Sequence, residues 1–243
     1  MCTVTWVKTF DNIVVTSNRD EHIGRPAAHF PHVVQQKNQQ LLFPKDGLAG
    51  GTWFAISDLG RIAVLLNGAF EKHIRKPTYN RSRGLILLDI LMHEVPLEIF
   101  QTMDFSEVEP FTLIYYEGKA VNELRWDAGQ KYTKELDPEE HHIWSSSTLY
   151  EADIRQKRDA LFHEFVLTEN SMNENALLGF HQFNHGDFEN GFVIDRNTGL
   201  KTVSITQTVI SENEINMRYH DLLGNSINSS QIPIRKLALS ITV

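Results

Sequence analysis

Apolar and polar positions alternate from the start of the chain. Residues 3–9 switch between Thr and apolar Val or Trp, Asp11 and Asn12 read as a tight turn, and IVVTS resumes at residue 13, which together predict a β-hairpin. The stretch GGTWFAISDLGRIAVLLN at 50–67 repeats the pattern, with strands over 52–57 and 61–67 around a DLG turn. The period then changes. YNRSRGLILLDILMHE places Leu85, Leu88 and Leu91 at three-residue steps, with Ile86, Ile90 and Met92 widening the face and Asn80 or Ser82 as the cap. PLEIFQTM adds a short helix with Pro96 in its first turn. Strands return in FTLIYYEGKAVNELRW around a turn at 116–119, and again in HHIWSSST. EADIRQKRDALFHEFV reads as an amphipathic helix with Ile154, Ala160 or Leu161, and Phe165 on its apolar side, and a further helix follows over 171–182. GFVIDR, KTVSITQTVI and EINMRYHD end the pattern as strands.

Hairpins separated by helical blocks, with few βαβ alternations, predict an α+β layered fold of two antiparallel sheets with helices outside. No repeat, low-complexity tract or linker divides the chain, so residues 1–243 read as one domain.

Charge and composition narrow the function classes. Lys and Arg total 23 against 31 Asp and Glu, a net charge of −8, which argues against nucleic acid or an anionic membrane surface as partner. A single cysteine among 243 residues excludes an internal disulfide, a thiolate zinc cluster and a C-x-x-C redox pair. No run approaches the roughly 20 apolar residues of a membrane helix, and charges enter too early for a signal peptide. A cytoplasmic protein acting on a small-molecule ligand or substrate is the expectation.

The lone cysteine is Cys2. A thiol becomes a strong nucleophile as thiolate, which needs a base or a positive charge nearby. With Met1 removed, the α-amine of Cys2 is such a base, with an ordinary pKa of about 7.7–8.0. Free cysteines also simply pack, so position alone does not decide. The run SNRDE at 17–21 adds to it. Folding about the turn at 11–12 sets residue 18 or 19 opposite residue 4 or 5, and residues 20 and 21 near Cys2. Arg19 would then lower the thiol pKa, and Asp20 would orient the α-ammonium.

MC at the start, SNRDEHIGRP at 17–26, GGTWFAIS with GRIAVLLN at 50–67, and SRG at 82–84 resemble the NRDE family, also called the transport and Golgi organisation family. The resemblance implies an N-terminal-nucleophile hydrolase-like fold, a four-layer αββα sandwich, distantly similar to penicillin V acylase and bile salt hydrolase. It implies Cys2, Arg19 and Asp20 as catalytic residues, with Asn18, Glu21, Arg25, Trp53, Asn67 and Ser146 lining the ligand site.

Three departures from the acylases matter. They separate the Arg and Asp that are adjacent here, they carry an oxyanion-binding Asn where this chain has Ser146, and their late-strand Arg finds no match in TVSITQTVIS. Asn67, ending its strand, is the other candidate oxyanion donor. The activity implied is hydrolysis of an amide or acyl thioester through a covalent acyl-cysteine, without a cofactor. The alternative, also drawn from the family, is a non-catalytic haem-trafficking or acyl-coenzyme A- or lipid-binding protein of the same fold; haem would be bound only under that alternative.

The histidines do not improve the case for a metal. Of eleven, His29 and His32, His141 and His142, and His181 and His185 form pairs. FNHGD ends the last helix before His185, and no carboxylate or thiol completes a ligand set, so no metal site is expected.

Overall fold

The computed structural model describes residues 3–235 of the chain. Its first hairpin pairs β1 (Thr3–Lys8) with β2 (Ile13–His22). The Thr9 hydroxyl donates to the Asn12 carbonyl at 2.9 Å and accepts from the Asn12 N–H at 3.1 Å, closing a four-residue loop. That loop is centred one residue earlier than the turn expected at 11–12. The register moves accordingly: Asn18 lies opposite Thr3, and Ser17 opposite Val4.

The hairpin belongs to a six-stranded sheet in the order β10 (His142–Ser145), β1, β2, β11 (Leu200–Ile210), β12 (Glu214–Asp221), β13 (Ser226–Pro233). The other sheet has seven strands in chain order: β3 (His29–Gln36), β4 (Gln39–Lys45), β5 (Phe54–Ser57), β6 (Ile62–Asn67), β7 (Phe111–Glu117), β8 (Ala120–Trp126) and β9 (Lys131–Leu136). All of these neighbouring strands pair antiparallel.

Three apolar clusters define four layers. Val4, Trp6 and Val15 of one sheet meet Phe54, Val64 and Ile114 of the other. Helices α1 (Arg83–Met92) and α2 (Pro96–Thr102) cover the seven-stranded sheet, where Ile86, Ile90 and Phe100 pack on Leu41 and Leu113. Helices α3 (Ala152–Thr168) and α4 (Glu174–His181) cover the six-stranded sheet, with Phe162, Leu177 and Phe180 on Val7 and Val14. The result is the expected α+β sandwich of αββα type. The helix starts follow local chemistry: the Ser82 hydroxyl caps α1 by accepting from the Leu85 N–H, and Asn173 Oδ1 caps α4 by accepting from the Asn175 and Ala176 N–H groups.

Several elements depart from the sequence pattern. Strands β3, β4, β9 and β13 are absent from it. Three of these four are sheet edges or near-edges with polar or Pro-interrupted sequences, HFPHVVQQ, KYTKEL and SINSSQIP, which an edge tolerates and alternation does not reveal. GFVIDR is not a strand: only Asp195 bridges, to Lys201, while Phe192 and Ile194 are buried from a loop. The buried side of α3 is Arg158 and Phe162, flanked by half-buried Ile154, Leu161 and Phe165, while Ala160 is exposed. No helix among the described residues is long and apolar enough to cross a membrane.

The GGTW motif has a steric cause. Gly50 takes φ +70°, and a Cβ on Gly51 would stand 2.5 Å from the Gly84 carbonyl carbon and 2.7 Å from the Leu85 nitrogen. Gly51 therefore lets the entry to β5 touch the first turn of α1. Gly51→Ala is expected to lower stability by about 1–3 kcal/mol, because backbone meets backbone and no side chain can rotate away. Urea unfolding midpoints equal to those of the unsubstituted protein would refute that contact.

Candidate functional site

Strand alternation sends neighbouring members of SNRDE to opposite faces of β2. Asn18 and Asp20 face the α3–α4 layer, while Arg19 faces the other sheet. Cys2 lies outside the described residues.

Asn18 is fully buried, and its Nδ2 donates to the His181 carbonyl at 2.9 Å and the Phe192 carbonyl at 2.7 Å. These two acceptors fix the amide orientation, so His181 Nδ1 carries the proton and donates to Asn18 Oδ1 at 2.5 Å. His181 Nε2 then accepts from the Thr5 hydroxyl at 2.8 Å. Burial, followed by the positive charge of Arg158 and by His185, holds the imidazole down to about 3. The placement corrects the expectation for Asn18: its side chain ties β2 to α4 and is turned away from both clefts described below.

Asp20 is 3% exposed and is held from both sides. The Tyr150 hydroxyl donates to Oδ2 at 2.7 Å and the Thr202 hydroxyl to Oδ1 at 2.6 Å. Beside it runs Arg158, 2% exposed, whose guanidinium donates to the Thr3 hydroxyl, to Ser145 Oγ at 3.0 Å, and to the carbonyls of Asn190 and Gly191 at 2.6 and 2.5 Å. It also lies over the Tyr150 and Phe192 rings, 4.1 and 4.6 Å from their centres.

On the opposite face of β2, Arg19 Nη2 donates to Asp46 Oδ2 at 2.7 Å and to Glu21 Oε2 at 3.4 Å, with Cζ 4.6 Å from the Trp53 ring centre. Arg25 grips the same carboxylate as a fork, Nε to Oδ2 at 3.0 Å and Nη2 to Oδ1 at 2.9 Å. Burial pushes the Asp46 carboxyl up, but the hydrogen bonds from Arg25 and the Ala49 N–H, with both arginine charges, bring it down to about 2. These groups wall a cleft of about 130 Å³ together with Arg83 and Ser82. Burial lowers the Arg83 guanidinium, against the pull of Glu109 at 3.1 Å.

A larger cleft of about 330 Å³ opens at the ends of β6 and β10, where Asn67, Arg125, Trp144, Ser146 and Arg155 line it. Asn67 borders both clefts, and its side-chain amide makes no hydrogen bond with the described residues. Ser146 is fully buried; its hydroxyl donates to the Asn67 carbonyl at 2.8 Å and shares a hydrogen bond with Thr148 Oγ1 at 2.9 Å. It holds the end of β6 in place and has no free proton for a ligand in this arrangement. The described residues contain no group of three or more His, Cys, Asp or Glu able to hold a metal.

Arg19, Glu21, Arg25 and Trp53 are thus brought together around one cleft, Ser146 borders the other, and Asp20 stands behind them. Sequence reading missed Asp46, Arg158 and Arg155, and weighed His181 only as a metal ligand. Arg158 carried a signal: it is four residues from both Ile154 and Phe162, in phase with the apolar side of α3. Asp46 carried none, because KDG reads as an ordinary turn.

Two face-to-face antiparallel sheets between helical layers, with a buried carboxylate near the end of the first hairpin's second strand, define an N-terminal-nucleophile hydrolase-like fold. Solved structures share it at low identity. A variant of conjugated bile acid hydrolase from Clostridium perfringens aligns over 100% of both chains at 10% identity and a TM-score of 0.57. An N-acylethanolamine-hydrolyzing acid amidase ortholog from Caenorhabditis elegans aligns over 85% of this chain and 92% of its own at 11% identity and a TM-score of 0.59. At such identities the likeness is one of fold. The chain itself belongs to the Transport and Golgi organisation 2 family, whose family model matches residues 1–213. Among curated protein sequences none matches it.

Proposed function

We propose that the chain is a cysteine hydrolase of the N-terminal-nucleophile type acting on a small amide or acyl thioester. With Met1 removed, the Cys2 sulfur attacks the carbonyl carbon and its own α-amine takes the thiol proton. The tetrahedral intermediate collapses, the carbon–nitrogen or carbon–sulfur bond breaks, and the amine delivers the proton to the leaving group. Water, deprotonated by the same amine, then releases the acyl group as an acid. The observation that carries this reading is Asp20. A carboxylate is expensive to bury, and this one is fixed by two hydroxyl donors two residues beyond the strand partner of Thr3. Its role is to orient the α-ammonium.

Asn67 supplies the oxyanion donor, since its amide is uncommitted where the two clefts meet, and Ser146 positions it through its backbone. Arg19 shares its charge with Asp46, so it acts with Arg25, Glu21 and Trp53 as a wall for the substrate.

Intact mass of the untagged protein from its native host is expected to lack Met1. A short acyl thioester is expected to leave an acyl adduct on Cys2 that Cys2→Ala does not form. Asn67→Ala is expected to slow adduct formation by about 10²–10³. Retained Met1 without an adduct overturns the reading. A Soret band that survives desalting after haem addition to such protein would identify the non-catalytic binding alternative.

A further inference from the structure

We infer that the larger cleft binds a carboxylate or phosphate group between Arg155 and Arg125, and that the substrate of the proposed reaction carries this group away from its scissile bond. Assigning the anion to a substrate rests on the reading of Cys2 as nucleophile; the binding of the anion does not.

Arg155 is the first reason. It stands on α3 and lines the cleft, yet its guanidinium forms no hydrogen bond or ion pair with the described residues, and its Nε is buried without a partner. A buried donor left unpaired keeps its desolvation cost uncompensated, the more so when it is charged. Asp159, four residues on and in the same cleft, does not pair with it; that carboxylate faces His163 at 3.5 Å instead.

Arg125, on β8, is the second. It is held in place from three sides: Nε donates to Glu123 Oε1 at 2.8 Å, Nη1 donates to the Ala69 carbonyl, and Cζ sits 4.7 Å from the Phe70 ring centre. Glu123 is itself fixed by the Trp144 indole N–H at 2.6 Å. Burial raises the Glu123 carboxyl, but the hydrogen bond and charge of Arg125, with Trp144, leave it below the usual carboxylate range. Arg125 Nη2 is left without a hydrogen-bond partner among the described residues. Two guanidinium groups lining one cleft from β8 and α3, one preorganised and one unpaired, suit the planar or tetrahedral oxygens of an anion. The volume of about 330 Å³ lies at the small end of small-molecule sites, which favours a compact organic acid or phosphate ester.

Calorimetric titration of the full chain with glutarate and with glycerol 3-phosphate tests this, using glutaramide and glycerol as their uncharged counterparts. At least one anion is expected to bind where its counterpart does not, and Arg155→Met is expected to weaken it by about tenfold or more. Arg155→Lys should fall between the two. Because Arg155 makes no side-chain hydrogen bond and its buried Nε is unpaired, Arg155→Met should melt at or above the temperature of the unsubstituted protein, which separates lost binding from lost folding. The anion that binds identifies the group as carboxylate or phosphate. Absence of binding by both at millimolar concentration, or equal affinity in Arg155→Met, overturns the proposal. Anion binding by protein that forms no acyl adduct on Cys2 would keep this site and reject the hydrolase reading.

Discussion

As pH falls from 6.5 toward 3, His181 alone is expected to remove about 1.4 kcal/mol of stability per pH unit, roughly 4–5 kcal/mol over the whole interval. The sign follows from the depressed value. In the folded protein burial first, then Arg158 and His185, hold the imidazole neutral down to about 3, whereas the unfolded chain titrates near 6.5. Between these values the unfolded chain binds the extra proton, so the contribution is complete above 6.5 and is lost as pH falls through the folded value. His141, His185 and His220 are lowered by burial too and pull the same way. Asp46, held at about 2, begins to lose its contribution only below its ordinary 3.8, so pH 4–6.5 is the useful window. Urea unfolding of His181→Gln and of the unsubstituted protein across that window isolates the effect. The slope against pH should be shallower in His181→Gln by about one proton, whatever its absolute stability. Equal slopes would mean that His181 is protonated in the fold.

His181 matters beyond stability because it holds Asn18, which faces Thr3 across the first hairpin. The folded imidazole stays neutral down to about 3, so through pH 4–6.5 it keeps its bonds to Thr5 and Asn18. Under the hydrolase reading, acid should lower activity in that window only as far as it populates the unfolded chain.

What the sequence made legible was what local period and turn chemistry encode. The hairpin of β1 and β2, the strands around the GGTW motif, the Ser82 cap and the end of α4 before His185 are local, and from them the layered α+β arrangement follows. The edge strands β3, β9 and β13 were hidden because their solvent faces remove the alternation that a buried strand shows. The site divides the same way. Arg19 and Asp20 were visible as a charged pair at a strand end, but their opposite directions follow from the pleat, and their partners Asp46 and Tyr150 lie 27 and 130 residues away. Arg158 was not legible as a buried group because a cation in a polar helix ordinarily points to water. Its burial depends on the Tyr150 and Phe192 rings and on two loop carbonyls, none of which α3 itself reveals.

Arg158→Met is expected to lower stability by about 2–4 kcal/mol and, with it, the order of the first strand. Two effects oppose each other. Among the described residues no carboxylate forms an ion pair with Arg158, so replacing a desolvated cation by an apolar chain of similar length relieves part of its burial penalty. Against this, the Asn190 and Gly191 carbonyls and the Thr3 and Ser145 hydroxyls lose a donor that is itself only 2% exposed. Each buried acceptor left unpaired costs about 1–3 kcal/mol, and two carbonyls alone outweigh the relief. Arg158→Lys should recover part of the loss, since one ammonium reaches some of these acceptors but cannot span them all. Thermal and urea unfolding measure the stability, and amide exchange at Val4 and Thr5 reports the strand. Protection there should drop in Arg158→Met by more than the global stability change explains, because the Thr3 anchor is lost locally. Stability within about 0.5 kcal/mol of the unsubstituted protein would show that the burial penalty and the hydrogen bonds cancel. The bridge from α3 to Thr3 would then be dispensable to the fold, and its persistence would have to be explained by the chemistry at the chain start.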